Sequence, residues 1–110
     1  GEGAGEGFNL NYPMPFGTTF ETWSAALDDA CGKLAAYRPD VVVVSLGVDT
    51  FEKDPISQFK LKSADYPAIG GRIARLGLPT LFVMEGGYAV DEIGVNAVGV
   101  LTGFEDASRR

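Results

Sequence analysis

The sequence predicts an α/β fold: a mostly parallel sheet with flanking helices, built in three layers. Three observations carry this. Val41–Leu46 is a nearly continuous β-branched run, and Thr80–Met84 is a second apolar run of similar length. Such runs read as strands buried on both faces, as in parallel sheets. Around them lie three stretches whose apolar residues recur every three or four positions, the period of an amphipathic helix.

Residues 1–7, GEGAGEG, form a flexible Gly/Glu segment. They are not a dinucleotide loop, because the third glycine of G-x-G-x-x-G would fall at Glu6 or Phe8 and no strand precedes it. Phe8, Leu10 and Tyr12 alternate with Asn9 and Asn11, which predicts a short half-buried strand ended by Pro13 and Pro15. Thr18 and Glu21 match a capping box and predict a helix start. Phe20, Trp23, Leu27, Ala30, Leu34 and Tyr37 then line one face of a helix over 19–37, weakened at Gly32 and stopped near Pro39. Trp23 and Tyr37 are expected to cover the sheet.

After the strand at Val41–Leu46, residues 47–63 read as a long loop, and long loops are usually functional or mobile. Ser63 is placed to cap a second helix with Pro67 in its first turn. Tyr66, Ile69, Ile73 and Leu76 give its buried face, and Gly77 and Pro79 end it. A third helix is expected from about 90 to 102, with Ile93, Ala97, Val100 and Leu101 inward and Gly103 as terminator. The predicted order is β-α-β-α-β-α. It divides into a Gly-rich segment with the first strand (1–18), an α/β subdomain (19–104) and a frayed polar tail (105–110).

With 110 residues, 45% of them hydrophobic and 22% charged, the chain is one small domain or part of a larger one. The formal net charge is −6, so nothing is gained by counterion release and nucleic acid is not an expected partner. The run Val41–Val44 is far short of the roughly 20 residues of a membrane helix, so no membrane association is expected. The single cysteine, Cys31, excludes an internal disulfide and fits a reducing, cytoplasmic setting. There is no histidine. By itself the chain cannot hold a Ser-His-Asp triad, a Cys-His pair or a histidine-rich zinc site. That absence, and a start at Gly1, raise the expectation of a longer protein.

In open parallel sheets ligands meet the loops after the strands. Two unusual segments lie there, Gly47-Val48-Asp49 and Glu85-Gly86-Gly87-Tyr88. Asp49 reads either as a metal ligand or base, or as a turn residue bonding local backbone. Asp54, before Pro55, reads more strongly as a turn or cap residue. Gly86 and Gly87 allow a ligand close to the backbone or a positive φ. Tyr88 either donates to a developing oxyanion or packs over the Gly-Gly turn. Glu85 reads first as a paired structural carboxylate, and Cys31 as a small core residue.

Together these segments resemble a known family. Ser45-Leu46-Gly47-Val48-Asp49-Thr50-Phe51-Glu52-Lys53-Asp54-Pro55 is similar to the L-G-x-D-x-x-x-x-D-P segment of the histone deacetylase superfamily. Glu85-Gly86-Gly87-Tyr88 resembles its glycine-glycine-tyrosine loop, and Gly1–Thr18 the strand and proline turn before both. The wording is most similar to the bacterial acetylpolyamine amidohydrolase branch, over residues 1–104. The resemblance implies part of an arginase/deacetylase-like fold and a zinc-dependent hydrolase of acetyl amides. It implies a metal-binding role for Asp49, an oxyanion-binding role for Tyr88, an acetyl-pocket wall at Gly86 and Gly87, and a place in the substrate tunnel for Ile56. The family's histidine pair, its Asp-x-His metal motif and its monovalent-cation sites have no counterpart in these residues, which correspond to the C-terminal third of the catalytic domain.

One carboxylate does not hold catalytic zinc. The expectation is therefore that this chain alone binds no zinc, hydrolyses no acetylated amine, and self-associates as a homo-oligomer through the surface left bare, with segment 1–18 exchanged between copies. The alternative is a stand-alone α/β binding or assembly module. An unrelated nucleotide-binding domain ranks last, for want of a phosphate-binding motif.

Overall fold

The structure, a computed structural model, describes residues 1–109. Its elements run α1 (Phe20–Tyr37), β1 (Val42–Leu46), α2 (Tyr66–Ala74), β2 (Thr80–Met84) and α3 (Ile93–Ser108), with 3-10 turns at Gly3–Gly5 and Ser63–Asp65. The class is α/β. β1 and β2 pair in parallel, with Val42 opposite Thr80 and Leu46 opposite Met84.

The expected strand at Phe8–Tyr12 does not form. A strand needs a neighbour to take its N–H and C=O groups, and none is offered. The segment instead runs beside α1. The Tyr12 hydroxyl donates to Asp29 at 2.6 Å, and Phe8 meets Tyr37 edge-to-face at 6.4 Å. Tyr37 is exposed and does not cover the sheet, whereas Phe20, Trp23 and Leu27 pack against the core. The capping box also fails: Thr18 donates its hydroxyl to the Pro15 carbonyl at 2.6 Å, and Thr19, with no side-chain cap bond, precedes α1.

Residues 47–62 are a folded loop. Phe51 and Leu61 form a parallel bridge, Glu52 N–H donates to Leu61 O at 2.8 Å, and Gly17 N–H reaches Gln58 O at 2.6 Å. Both Phe51 and Leu61 are buried. The loop thus adds its own apolar residues to the core formed by Leu46, Val48, Tyr66, Ile69, Ile73 and Val100. Ser63 is not a side-chain cap. Asp65 instead accepts the Lys62 N–H at 2.8 Å, and Pro67 stands in the first turn of α2 as expected.

The strands are buried on one face only. Val42 and Leu46 point into the core, while Val43 is 62% exposed and Leu81 56%. Side chains alternate across a strand, and the helices cover one side of the pair. β-branching sets the strand, but a second covering layer has to come from other elements.

α3 does not stop at Gly103 but continues to Ser108, absorbing most of the expected polar tail. Gly103 and Gly70 are contact points between α2 and α3. A Cβ on Gly103 would strike the Pro67 carbonyl, and one on Gly70 the Val100 carbonyl. Glycine is needed there because the two backbones nearly touch. A Cβ on Gly32 in α1 would meet nothing within 4 Å beyond its own helix backbone and chain neighbours. Gly103→Ala should therefore destabilise by about 1–3 kcal/mol through overpacking. Gly32→Ala should stabilise by up to about 1 kcal/mol through helix propensity. Urea unfolding of the two variants checks both signs.

Candidate functional site

Because β1 and β2 are parallel, the segments after Leu46 and Met84 leave the sheet at the same, carboxyl end. The ladder continues past both strands. Glu85 N–H donates to Leu46 O, and Val48 N–H to Gly86 O, each at 2.8 Å. The two loops singled out in the sequence are thus bonded to one another.

Asp49 lies half-buried in this junction. Its carboxylate rests against two glycines. A Cβ on Gly47 would stand 3.0 Å from Oδ1, and a Cβ on Gly86 would overlap Oδ2. Gly86 is therefore glycine for space. Gly87 is glycine for conformation as well, with φ +146° and Val48 Cγ2 only 2.7 Å from where a Cβ would be.

Tyr66 fixes the backbone on the other side of Asp49. Its ring is fully buried. Its hydroxyl donates to Val48 O at 3.3 Å and lies 2.9 Å from Thr50 Oγ1. Burial pushes its pKa up to about 12; the Thr50 hydrogen bond opposes this and the Asp49 charge adds to it. The phenol stays neutral and remains a donor. Sequence spacing identified Tyr66 only as a core residue, since its polar end acts through a tertiary contact.

Asp54 is 6% exposed, the most deeply placed carboxylate of the site. Oδ1 accepts the N–H groups of Ile56 (2.9 Å) and Ser57 (3.1 Å), the turn role its place before Pro55 suggests. Oδ2 accepts the Tyr88 N–H at 2.8 Å, across 34 residues of chain, and this the sequence did not signal. Burial works to raise its pKa, but the backbone donors of Ile56, Tyr88, Ser57 and Ala89 outweigh it and hold the group below the ordinary 3.8.

Tyr88 itself is 49% exposed. Ile56 is exposed on the Asp54 loop. Glu85 is exposed, and among the described residues no ion pair involves it, contrary to the paired carboxylate expected. Cys31 lies outside the core cluster, half-buried, with burial raising its thiol pKa. The clefts between α2 and α3 (Ala74, Phe104) and along α1 (Leu10, Leu34) are not lined by Asp49 or Tyr88. A catalytic zinc takes three protein ligands. Among the described residues no three metal-binding side chains converge. Asp49 carries a carboxylate able to give one ligand.

A family pattern described as "Histone deacetylase domain" matches residues 1–104. Acetylpolyamine amidohydrolase 1 of Pseudomonas aeruginosa is 66% identical over 109 residues, which are 99% of this chain and 32% of that protein. The acetylpolyamine amidohydrolase of Mycoplana ramosa is 55% identical over 103 residues, 94% of this chain and 30% of that protein. The crystal structure of acetylpolyamine aminohydrolase from Burkholderia pseudomallei superposes with a TM-score of 0.92 at 37% identity, over 97% of this chain and 31% of that one. The chain thus spans about a third of the length of the curated relatives it matches.

The acid response of the fold tests the geometry at Asp54. A carboxylate whose pKa is lowered by folding contributes stability that is complete above its unfolded value, here 3.8, and is lost as the pH falls through the folded value. Asp29 and Glu52 are also lowered, by Lys33 and Lys62, but both pairs sit at the surface and are screened at about 1 M salt. In high salt, the loss of unfolding free energy below pH 4 should shrink in Asp54→Asn relative to the parent. Superimposable acid limbs would contradict the assignment.

Proposed function

We propose, from the premise that this chain belongs to the histone deacetylase domain family, that it forms part of the active centre of a zinc-dependent hydrolase of acetyl amides. One observation carries the reading. The Asp49 segment and the Gly86-Gly87-Tyr88 segment leave neighbouring parallel strands at one end and are bonded directly, Val48 N–H to Gly86 O.

In this reading Asp49 is a metal ligand, with its partners supplied by residues outside this chain. Zinc held there by Asp49 and ligands from outside this chain would polarise the acetyl carbonyl and lower the pKa of its bound water. Tyr88 donates its hydroxyl to the oxyanion of the tetrahedral intermediate. Gly86 and Gly87 wall the acetyl pocket, and Ile56 lines the approach of the substrate. The substrate class is an acetylated amine. A polyamine is favoured by the names of the most similar relatives and by the net charge of −6, which attracts a cationic substrate. The setting proposed is the cytoplasm, in keeping with a lone free cysteine.

The isolated chain has an open sheet face at Val43, Leu81 and Val83 and two unpaired strand edges. Parallel sheets bury both faces. Over most of their length the relatives have residues this chain lacks, and in the isolated chain a second copy takes their place on the apolar face, giving a homo-oligomer. Light scattering at tens of micromolar should show a mass above 11.6 kDa; a monomer at all concentrations would reject self-association.

The 110-residue chain should not turn over an acetyl-amine substrate. In a complete enzyme carrying these residues, Tyr88→Phe should lower kcat by about 10²–10³-fold with zinc retained. Asp49→Ala should lose zinc, read by metal analysis after dialysis. Full activity in Tyr88→Phe, or full zinc in Asp49→Ala, would overturn the respective role.

A further inference from the structure

We infer that Asp54 is the positioning residue for Tyr88: its buried carboxylate, shared between the Ile56–Ser57 turn and the Tyr88 N–H, fixes the loop that carries the phenol. This deepens the reading above and rests on it for the role of the hydroxyl.

The loop needs an external hold. Met84 ends β2 and α3 begins only at Ile93. Between them stand two glycines, the least restricted residues of a chain. Gly86 O is held by Val48 N–H, and Ala89 O takes the N–H groups of Glu92 and Ile93. Between these anchors the main chain is tied at Tyr88 N–H, to Asp54 Oδ2. A hydrogen bond to a carboxylate is stronger than one between neutral groups. Here the bond's acceptor belongs to a buried residue, Asp54. It sets where the Tyr88 Cα sits, and a displacement of about 1 Å from the reacting centre is enough to cost about 10²-fold in rate.

The chemistry of the carboxylate makes the claim separable from general folding. Asp54 uses both oxygens: Oδ1 for the two N–H donors of its own turn and Oδ2 for the Tyr88 N–H, with the Ala89 N–H of the same loop also turned toward the carboxylate. Asparagine has one oxygen and one NH2. Its oxygen will stay with the two donors of the tight turn, leaving its NH2 facing the Tyr88 N–H, donor against donor. Asp54→Asn therefore keeps the turn and releases Tyr88. The same carboxylate also places Ile56, so the Asp54 loop and the Tyr88 loop move as one body.

The test is a double-mutant cycle in a complete, zinc-loaded enzyme carrying these residues. Asp54→Asn should lower kcat at least about tenfold, with KM within about twofold and zinc content unchanged. In a Tyr88→Phe background the same change should cost less than about twofold, because the group being positioned is already gone. Equal losses in both backgrounds, or no loss in either, would overturn the inference and leave Asp54 a purely structural residue. If Asp54→Asn does not fold, Asp54→Glu enters the same cycle with the same two outcomes. If Tyr88→Phe alone is harmless, the function proposed for the site fails. The positioning claim is then decided by amide exchange on this chain. Exchange at Tyr88 should accelerate in Asp54→Asn while the buried Val100 amide holds its rate, and unchanged Tyr88 protection would reject it.

Discussion

Burying a carboxylate is among the most costly local choices a fold makes, and this one makes it at Asp54. An ionised group out of water must recover its hydration from fixed donors. Here the donors are main-chain N–H groups from two loops that are far apart in sequence and adjacent in space. The arrangement works in both directions. The donors keep the carboxylate ionised, and the ionised carboxylate keeps the loops together. The junction of the Asp49 and Tyr88 segments depends on this exchange, reinforced by the pair of backbone bonds linking Leu46, Val48, Glu85 and Gly86.

The junction stands on a base that is rigid for a different reason. α2 and α3 approach so closely at Gly70, Gly99 and Gly103 that a single added carbon meets backbone or the Pro67 ring. Above them Phe82 and Phe104 meet edge-to-face at 5.3 Å, tying β2 to α3. Tyr66 links this helical layer to the site, with its ring in the core and its hydroxyl on the Val48 carbonyl. A residue that looks like packing from its spacing thus transmits the position of the core to the residue before Asp49.

The molecule is lopsided. One side of β1 and β2 is covered and the other presents Val43, Leu81 and Val83. The N-terminal segment, α1 beyond Ala30 and this sheet face share the same character: apolar residues at strand or helix spacing that stay exposed among the described residues. The chain matches about a third of the length of its relatives, and apolar residues at such spacing are the patterning that a larger core requires.

Local sequence determined much about this protein. Two strands, three helices, the Pro67 start of α2, the turn role of Asp54 and the pairing of an aspartate loop with a glycine-tyrosine loop were all legible, because each depends on residues a few positions apart. Two of the three failures share one cause. Phe8–Tyr12 has strand alternation but no neighbour to bond. Thr18 has a cap's chemistry but a nearer acceptor in Pro15. Gly103 has a terminator's chemistry but is needed where two helices touch. For Phe8–Tyr12 and Gly103 the outcome was set by groups distant in the chain, and for Thr18 by a carbonyl three residues before it. Only the tertiary structure decided that Asp54 holds Tyr88 and that Tyr66 holds Val48, since a hydrogen bond across 34 or 18 residues leaves no periodicity to read.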